Sequence, residues 1–205
     1  MSGERLLVLG LGNLLCSDDG AGALVVHALD RAFERPADVD VMDGGTLGLS
    51  LLPYLEAAPA AILVDAVRAD APPGSIIRLE GVDVAPAVEQ RLSPHQIGVA
   101  DLLDGVRWLD RYPQRLVLLG VVPATIDLGV GCSPAVRAAL PGLLDAVVDE
   151  IRRFGFDLIR RENDDAAEIL SGADVSGVFG LHRVGSRSAG AIQRDPGAGR
   201  AAGVR

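Results

Sequence analysis

Short apolar runs alternate with stretches of helical periodicity along most of the chain. Residues 6–9, 39–42, 60–64 and 115–122 have the length and composition of β-strands. Residues 22–33 carry apolar side chains every three or four positions, the spacing that places them on one face of a helix. Alternating strands and helices of this kind predict an α/β fold, with a mostly parallel sheet covered by helices on both faces in a single domain.

The clearest helix start in the chain is the segment Ser93-Pro94-His95-Gln96. Ser93 suits the N-cap position and Pro94 the first helical position, and Gln96 completes a capping box. Apolar residues continue at helical spacing to Val106, so we expect a helix with His95 in its first turn. The positive end of a helix favours the neutral imidazole there, which is the form that binds metal ions.

Three weaker patterns complete the predicted fold. Residues 49–55 predict a short helix, and residues 75–79 predict a strand that pairs antiparallel at an edge of the sheet. A last helix is expected over residues 134–154 because a Ser-Pro pair opens it. Asp18 is the expected N-cap of the first helix.

The character of the sequence changes near residue 160. Residues 1–160 contain the predicted strands and helices, whereas residues 161–205 are rich in glycine and show no sustained period. We therefore expect one folded domain followed by a weakly ordered tail that takes no part in the chemistry and is dispensable for it.

The chain is acidic, since its 205 residues include 28 acids and 19 bases, all of them arginine, for a formal net charge of −9. Such a surface repels phosphate, which argues against a non-specific nucleic-acid partner. No apolar run approaches the ~20 residues that span a bilayer, and no signal-peptide pattern is present. With Cys16 and Cys132 as the only cysteines, a disulfide-free cytoplasmic protein is the expectation.

Acidic residues follow three of the predicted strands, at the edge where open parallel sheets bind their ligands. Asp19 follows the first strand, Asp43 the second and Asp65 the third, and the helix start would bring His95 to the same edge. Two carboxylates and one imidazole form a ligand set for a divalent transition metal. Each acid also has a structural interpretation, with Asp19 and Asp65 at helix ends and Asp43 in a turn.

Two other function classes remain open on the residues alone. The Gly10-Leu11-Gly12 turn suggests a dinucleotide site, but the third glycine of that fingerprint would fall at Leu15. A metal-escorting chaperone would use the same donors, although the chain has no histidine-rich or cysteine-rich tract. The motifs His-Glu-x-x-His of zinc proteases and Gly-x-Ser-x-Gly of serine hydrolases are absent.

Five segments resemble, in their order and spacing, the motifs of the nickel-iron hydrogenase maturation endopeptidases. The segments are residues 10–22, 43–46, 64–66, 93–103 and 119–123. The fourth is similar to the version found with uptake-type hydrogenases. The resemblance covers about residues 5–155 and implies an α/β sandwich with a twisted, mostly parallel sheet.

The resemblance also implies an activity and a substrate. Members of this family are peptide hydrolases, classed as aspartic-type endopeptidases, that remove a C-terminal extension from the hydrogenase large-subunit precursor after nickel insertion. The nickel is carried by the substrate, so no permanently bound cofactor is expected. Its ligands, and with them the catalytic residues, fall here on Asp19, Asp65 and His95. The alternative is a nickel-binding maturation chaperone without proteolytic activity.

The resemblance further implies substrate-binding roles for a second set of residues. The set consists of Asn13, Asp43, Gly44, Gly45 and Thr46. We expect these residues to shape a cleft that accepts an extended C-terminal peptide.

Overall fold

The computed structural model describes residues 5–89, 99–162 and 166–171 of the chain. Its strands are β1 (Leu6–Leu11), β2 (Phe33–Glu34), β3 (Val39–Gly45), β4 (Ala60–Ala66), β5 (Ile76–Glu80), β6 (Arg115–Val121) and β7 (Ile159–Arg160). Five of them form the central sheet in the order β3-β1-β4-β6-β5, with β5 antiparallel to β6 and the other pairs parallel. Strands β2 and β7 form a separate antiparallel pair.

Six α-helices are described: α1 (Ala21–Ala32), α2 (Leu52–Glu56), α3 (Val84–Glu89), α4 (Val99–Trp108), α5 (Pro134–Arg153) and α6 (Ala166–Leu170). Helices α1, α5 and α6 bury their apolar side chains on one face of the sheet. Helices α2, α3 and α4 cover the opposite face. The predicted α/β fold, a mostly parallel sheet with helices on both faces, is confirmed. None of the helices within the described ranges is long and apolar enough to cross a membrane.

Helix α1 packs close to the backbone of the sheet because its second residue, Gly22, has no side chain. A Cβ atom on Gly22 would lie 2.1 Å from the carbonyl oxygen of Val64 and 2.5 Å from that of Leu11. Any side chain at this position would therefore push the helix away from β1 and β4. A 3-10 turn, Ser17–Gly20, precedes the helix and lies at the carboxyl edge of the sheet.

Two acids that we expected directly after strands lie within them. Asp43 pairs with Gly10 in the ladder between β3 and β1, and Asp65 pairs with Gly120 in the ladder between β4 and β6. Each strand extends through its aspartate because the neighbouring strand, β1 or β6, offers backbone hydrogen-bond partners there. This pairing outweighs the low strand propensity of aspartate. The antiparallel edge strand predicted over residues 75–79 is confirmed by β5.

The expected N-cap of the first helix is wrong. Gly20 occupies that position and no side chain caps the helix. The intervening 3-10 turn removes Asp18 from the helix end, and its carboxylate binds a different part of the chain. By contrast, Ser133 caps α5 as predicted, accepting a hydrogen bond from the amide of Val136 at 3.4 Å. The predicted helix start at residues 93–96 lies outside the described residues.

Part of the predicted tail belongs to the folded domain. Helix α6 buries Ala166, Ile169 and Leu170 against the apolar core that it shares with α1 and α5. The expected boundary at residue 160 is therefore too early, and the domain extends at least to Ser171. Five helical residues preceded by two acids and an asparagine carry too weak a periodic signal to be recognised in the sequence.

Truncation at two positions tests this corrected boundary. A chain that ends after Glu162 is expected to have a free energy of unfolding about 3 kcal/mol lower than a chain that ends after Ser171, because Ile169 and Leu170 no longer cover the core. Urea unfolding of both truncated proteins, followed by circular dichroism, measures the difference. Equal unfolding midpoints would show that α6 contributes nothing to the stability of the domain.

Candidate functional site

Asp19 lies in the 3-10 turn between β1 and α1, with a side chain turned toward the preceding loop. The residue is only 5% exposed, and its Oδ2 accepts a hydrogen bond from the amide of Asn13 at 2.7 Å. Gly12 makes this packing possible, since a Cβ atom there would lie 1.7 Å from the carbonyl oxygen of Asp19. Gly12 also has a φ of +113°, which other residues rarely adopt.

Asp65 occupies the carboxyl end of β4 and is fully buried. Its Oδ1 accepts a hydrogen bond from the amide of Ala66 at 2.8 Å. Side chains alternate along a strand, so Asp65 faces the same side as Leu63, the side covered by α2, α3 and α4. The turn that carries Asp19 packs against β4, and the structure thus brings both carboxylates to the carboxyl edge of the sheet.

The third residue of the expected ligand set, His95, lies outside the described residues. The segment that contains it leads into α4, which covers the face on which Asp65 lies. Within the part of the chain that the structure describes, no three histidine, cysteine or acidic side chains are grouped so as to hold a metal ion. Two carboxylates less than one-tenth exposed are costly to desolvate, and such groups are concentrated at functional sites.

Asp18, the neighbour of Asp19, has a different role. It is fully buried and its carboxylate accepts four hydrogen bonds from two distant segments. Three come from the amides of Ala124 at 2.8 Å, Thr125 at 3.2 Å and Ser133 at 2.6 Å, and the fourth from the Ser133 hydroxyl at 2.9 Å. Asp18 therefore ties the loop after β6 and the start of α5 to the turn that carries Asp19.

Asp43 has hydrogen-bond partners at both of its oxygens. Oδ1 accepts from the amide of Gly45 at 2.9 Å, and Oδ2 accepts from Nε2 of His27 at 2.8 Å. The carboxylate therefore holds the turn that begins at Gly44 and connects it to α1. His27 was not singled out in the sequence, where it is one polar position of a helix. The pairing of His27 with Asp43 follows from how α1 packs over the end of β3, which the sequence does not show.

Apolar side chains flank the carboxyl edge, another feature that sequence analysis missed. Leu15, Leu128 and Val130 are 48%, 87% and 63% exposed. Their loops are joined through Gly129, whose amide donates to the carbonyl of Leu15 at 2.9 Å and whose carbonyl accepts from the amide of Ser17 at 2.8 Å. We call these three exposed side chains, which lie on two loops joined by those hydrogen bonds, the apolar rim.

The buried cysteine near this edge is not a nucleophile. Burial, assisted by the nearby Asp18 carboxylate and opposed by Arg137, raises the pKa of the Cys132 thiol to about 11. The thiol is therefore protonated at neutral pH, and only the thiolate is an effective nucleophile.

Comparisons with known proteins agree on one family. The family model described as hydrogenase maturation protease matches residues 23–150. The chain is 35% identical over 159 residues to the hydrogenase 2 maturation protease of Escherichia coli, covering 77% of this chain and 97% of that protein. It is also 35% identical to the hydrogenase expression/formation protein HupD of Rhodobacter capsulatus, over 77% of this chain and 76% of that one.

The fold supports the same relationship. The structure of the hydrogenase maturating endopeptidase HybD from Escherichia coli superposes with a TM-score of 0.74 at 34% sequence identity. The match covers 78% of this chain and 99% of that protein.

Proposed function

The chain belongs to the hydrogenase maturation protease family and is a peptide hydrolase, and from this premise we propose that it removes the C-terminal extension of a nickel-iron hydrogenase large-subunit precursor after nickel insertion. The observation that carries the proposal is the pair of buried carboxylates, Asp19 and Asp65, at the carboxyl edge of the sheet. This is the edge at which open α/β sheets place their ligands.

We assign recognition of the substrate's nickel to Asp19, Asp65 and His95. Carboxylate oxygens and a neutral imidazole nitrogen are suitable donors for a divalent transition metal, and both acids are shielded from water, which strengthens their interaction with a cation. His95 is assigned by the family resemblance alone. Because the metal arrives with the precursor, it acts as a mark of a completed substrate and is not a resident cofactor.

The same two carboxylates are the groups available for proton transfer during hydrolysis. A carboxylate can take a proton from the water that attacks the scissile carbonyl and return it to the leaving amine. A site that closes over these acids would also exclude bulk water from the reacting bond. In this proposal Asp19 and Asp65 couple recognition of the metal to cleavage, since both tasks use the same side chains.

The surroundings of the carboxylates suit an extended peptide. Asn13 and the turn over residues 44–46, which Asp43 holds, are linked by hydrogen bonds to the loop beside Asp19. The apolar rim lies on the loop that continues from Asn13 and on the loop after β6 that is bonded to it. Burying exposed leucine and valine side chains of this kind under a partner makes the free energy of binding more favourable. We assign the rim to docking of the precursor near its cleavage site.

The intact mass of a cognate precursor, measured after incubation with this protein, tests the proposal. Nickel-loaded precursor is expected to lose the mass of its C-terminal extension, whereas nickel-free precursor keeps it. Nickel transfer without any loss of mass would instead identify a maturation chaperone. Cleavage of both precursors at equal rates would refute the role of the metal but leave the protease function intact.

Replacement of Leu128 by glutamate tests the rim. Leu128→Glu places a charge on a surface meant for an apolar partner, so KM for the precursor is expected to rise about tenfold with kcat little changed. Val82→Glu is the matched control, because Val82 is 86% exposed, as Leu128 is 87%, but follows β5 at the opposite edge of the sheet. An equal effect of both substitutions would refute a specific docking role.

A further inference from the structure

A histidine on α1 is connected to the turn at the end of β3. Nε2 of His27 donates to Oδ2 of Asp43 at 2.8 Å, and Oδ1 of Asp43 accepts from the amide of Gly45 at 2.9 Å. The His27 and Asp43 side chains are 18% and 27% exposed, so water competes only partly for this contact. The Asp43 carboxylate thus joins α1 to the turn at the end of β3 through a hydrogen bond on each side.

The same chain of hydrogen bonds continues to the candidate catalytic acid. The carbonyl of Gly45 accepts from the amide of Gly12 at 3.1 Å. The next amide in the chain, that of Asn13, donates to Oδ2 of Asp19 at 2.7 Å. Four hydrogen bonds, linked through the Asp43 carboxylate and the backbone of Gly45 and Gly12, therefore connect the imidazole on α1 to the Asp19 carboxylate.

Both glycines in this connection have unusual backbone conformations. Gly12 has a φ of +113° and Gly45 a φ of +44°. Glycine adopts such angles without strain but is also free to leave them, so the geometry persists only where surrounding contacts fix it. The register between β1 and β3 shifts between Gly10 and Leu11, so Leu11 pairs with Gly45 and the ladder is irregular at this point.

We propose that His27 is a positioning residue for the processing reaction, acting through Asp43 on the loop that holds Asp19. The proposal rests on the proposed function, because it assigns Asp19 to the same reaction. His27 touches neither Asp19 nor, in this assignment, the substrate. It holds the Asp43 carboxylate in the orientation that fixes the Gly45 turn, and the turn fixes the Asn13 amide against Asp19.

Three variants test the proposal. His27→Leu removes the donor and keeps an apolar side chain of similar size. His27→Gln retains an amide N–H donor near the position of Nε2. Asp30→Asn is the control, because Asp30 is a partly buried acid of the same helix that pairs with Arg35 away from this loop. If the effects came from a general destabilisation of α1, all three variants would show them.

Amide hydrogen exchange and precursor processing are measured on the full chain. His27→Leu is expected to speed exchange at Gly12, Asn13 and Gly45 about tenfold, with the amide of Leu6 at the far end of β1 unchanged. Processing by this variant should fall about tenfold in kcat, with KM little changed. His27→Gln should remain within about threefold of wild type in both measurements. Asp30→Asn should be indistinguishable from wild type.

Exchange in His27→Leu at the wild-type rate would overturn the proposal, as would equal losses of processing in the leucine and glutamine variants. A wild-type protein that leaves a competent precursor intact would refute the proposed function instead. The exchange measurement does not depend on the precursor, so it still decides whether His27 holds the loop of Asp19.

Discussion

Replacing Asp18 by alanine is expected to lower the free energy of unfolding by about 4 kcal/mol. The carboxylate is fully buried and accepts four hydrogen bonds, so its removal leaves the amides of Ala124, Thr125 and Ser133 without their acceptor. These hydrogen bonds are partly buried and go to a charged group, so water replaces the lost acceptor only in part. The substitution should also release the loop after β6 from the turn before α1.

Urea unfolding of Asp18→Ala and of a matched variant, Asp127→Ala, measures this effect. Asp127 belongs to the same loop and accepts a hydrogen bond from the hydroxyl of Thr125, but it is exposed. Its replacement is expected to change the free energy of unfolding by less than about 1 kcal/mol. Similar values for both variants would show that the Asp18 network does not stabilise the fold.

Replacing Asp19 by asparagine is expected to reduce precursor processing at least about a hundredfold while the protein stays folded. In the wild type, the amide of Asn13 donates to Oδ2 of Asp19 at 2.7 Å. Asparagine keeps a side-chain oxygen that can accept this hydrogen bond, so the loop retains the contact. The negative charge is lost, and with it the attraction for a metal cation and the capacity to take a proton. The free energy of unfolding should change by about 1 kcal/mol.

Single-turnover cleavage of nickel-loaded precursor, with thermal unfolding as the check on folding, measures this prediction. Asp127→Asn is the control, because it removes one negative charge from the same edge without touching a buried group. Its processing rate is expected to stay within about twofold of wild type. Wild-type processing by Asp19→Asn would refute the assignment of Asp19, and equal losses in both variants would indicate a general effect of charge.

Periodicity and the polar residues after strands were enough to predict the fold class and the edge that carries the candidate site. Asp65 illustrates why. A buried run of five apolar residues specifies a central strand, and the connection rules of parallel sheets then place the residue after it at the carboxyl edge. The antiparallel edge strand β5 was also predictable, because the Pro-Pro-Gly turn before it is a strong local signal.

The separate roles of Asp18 and Asp19 were beyond the sequence. Two adjacent acids before a helix cannot be told apart in the sequence. Their side chains point in different directions, so Asp18 binds distant segments of the chain whereas Asp19 belongs to the candidate site. His27 and α6 were missed for the same physical reason. Their partners lie in other elements of the fold, Asp43 on β3 for His27 and the core beside α1 and α5 for α6, so only the packing of α1 shows these contacts.

The Asp18 hydrogen bonds also constrain the order in which this protein can fold. They join residues that are 106 to 115 positions apart in the chain, and contacts between such distant residues form late because closing long loops costs entropy. During synthesis, the first four strands of the central sheet emerge well before Ser133 does. A nascent chain therefore carries Asp19 on a turn that lacks the Asp18 hydrogen bonds, and the edge with the candidate site is complete only when the segment from Ala124 to Ser133 has docked.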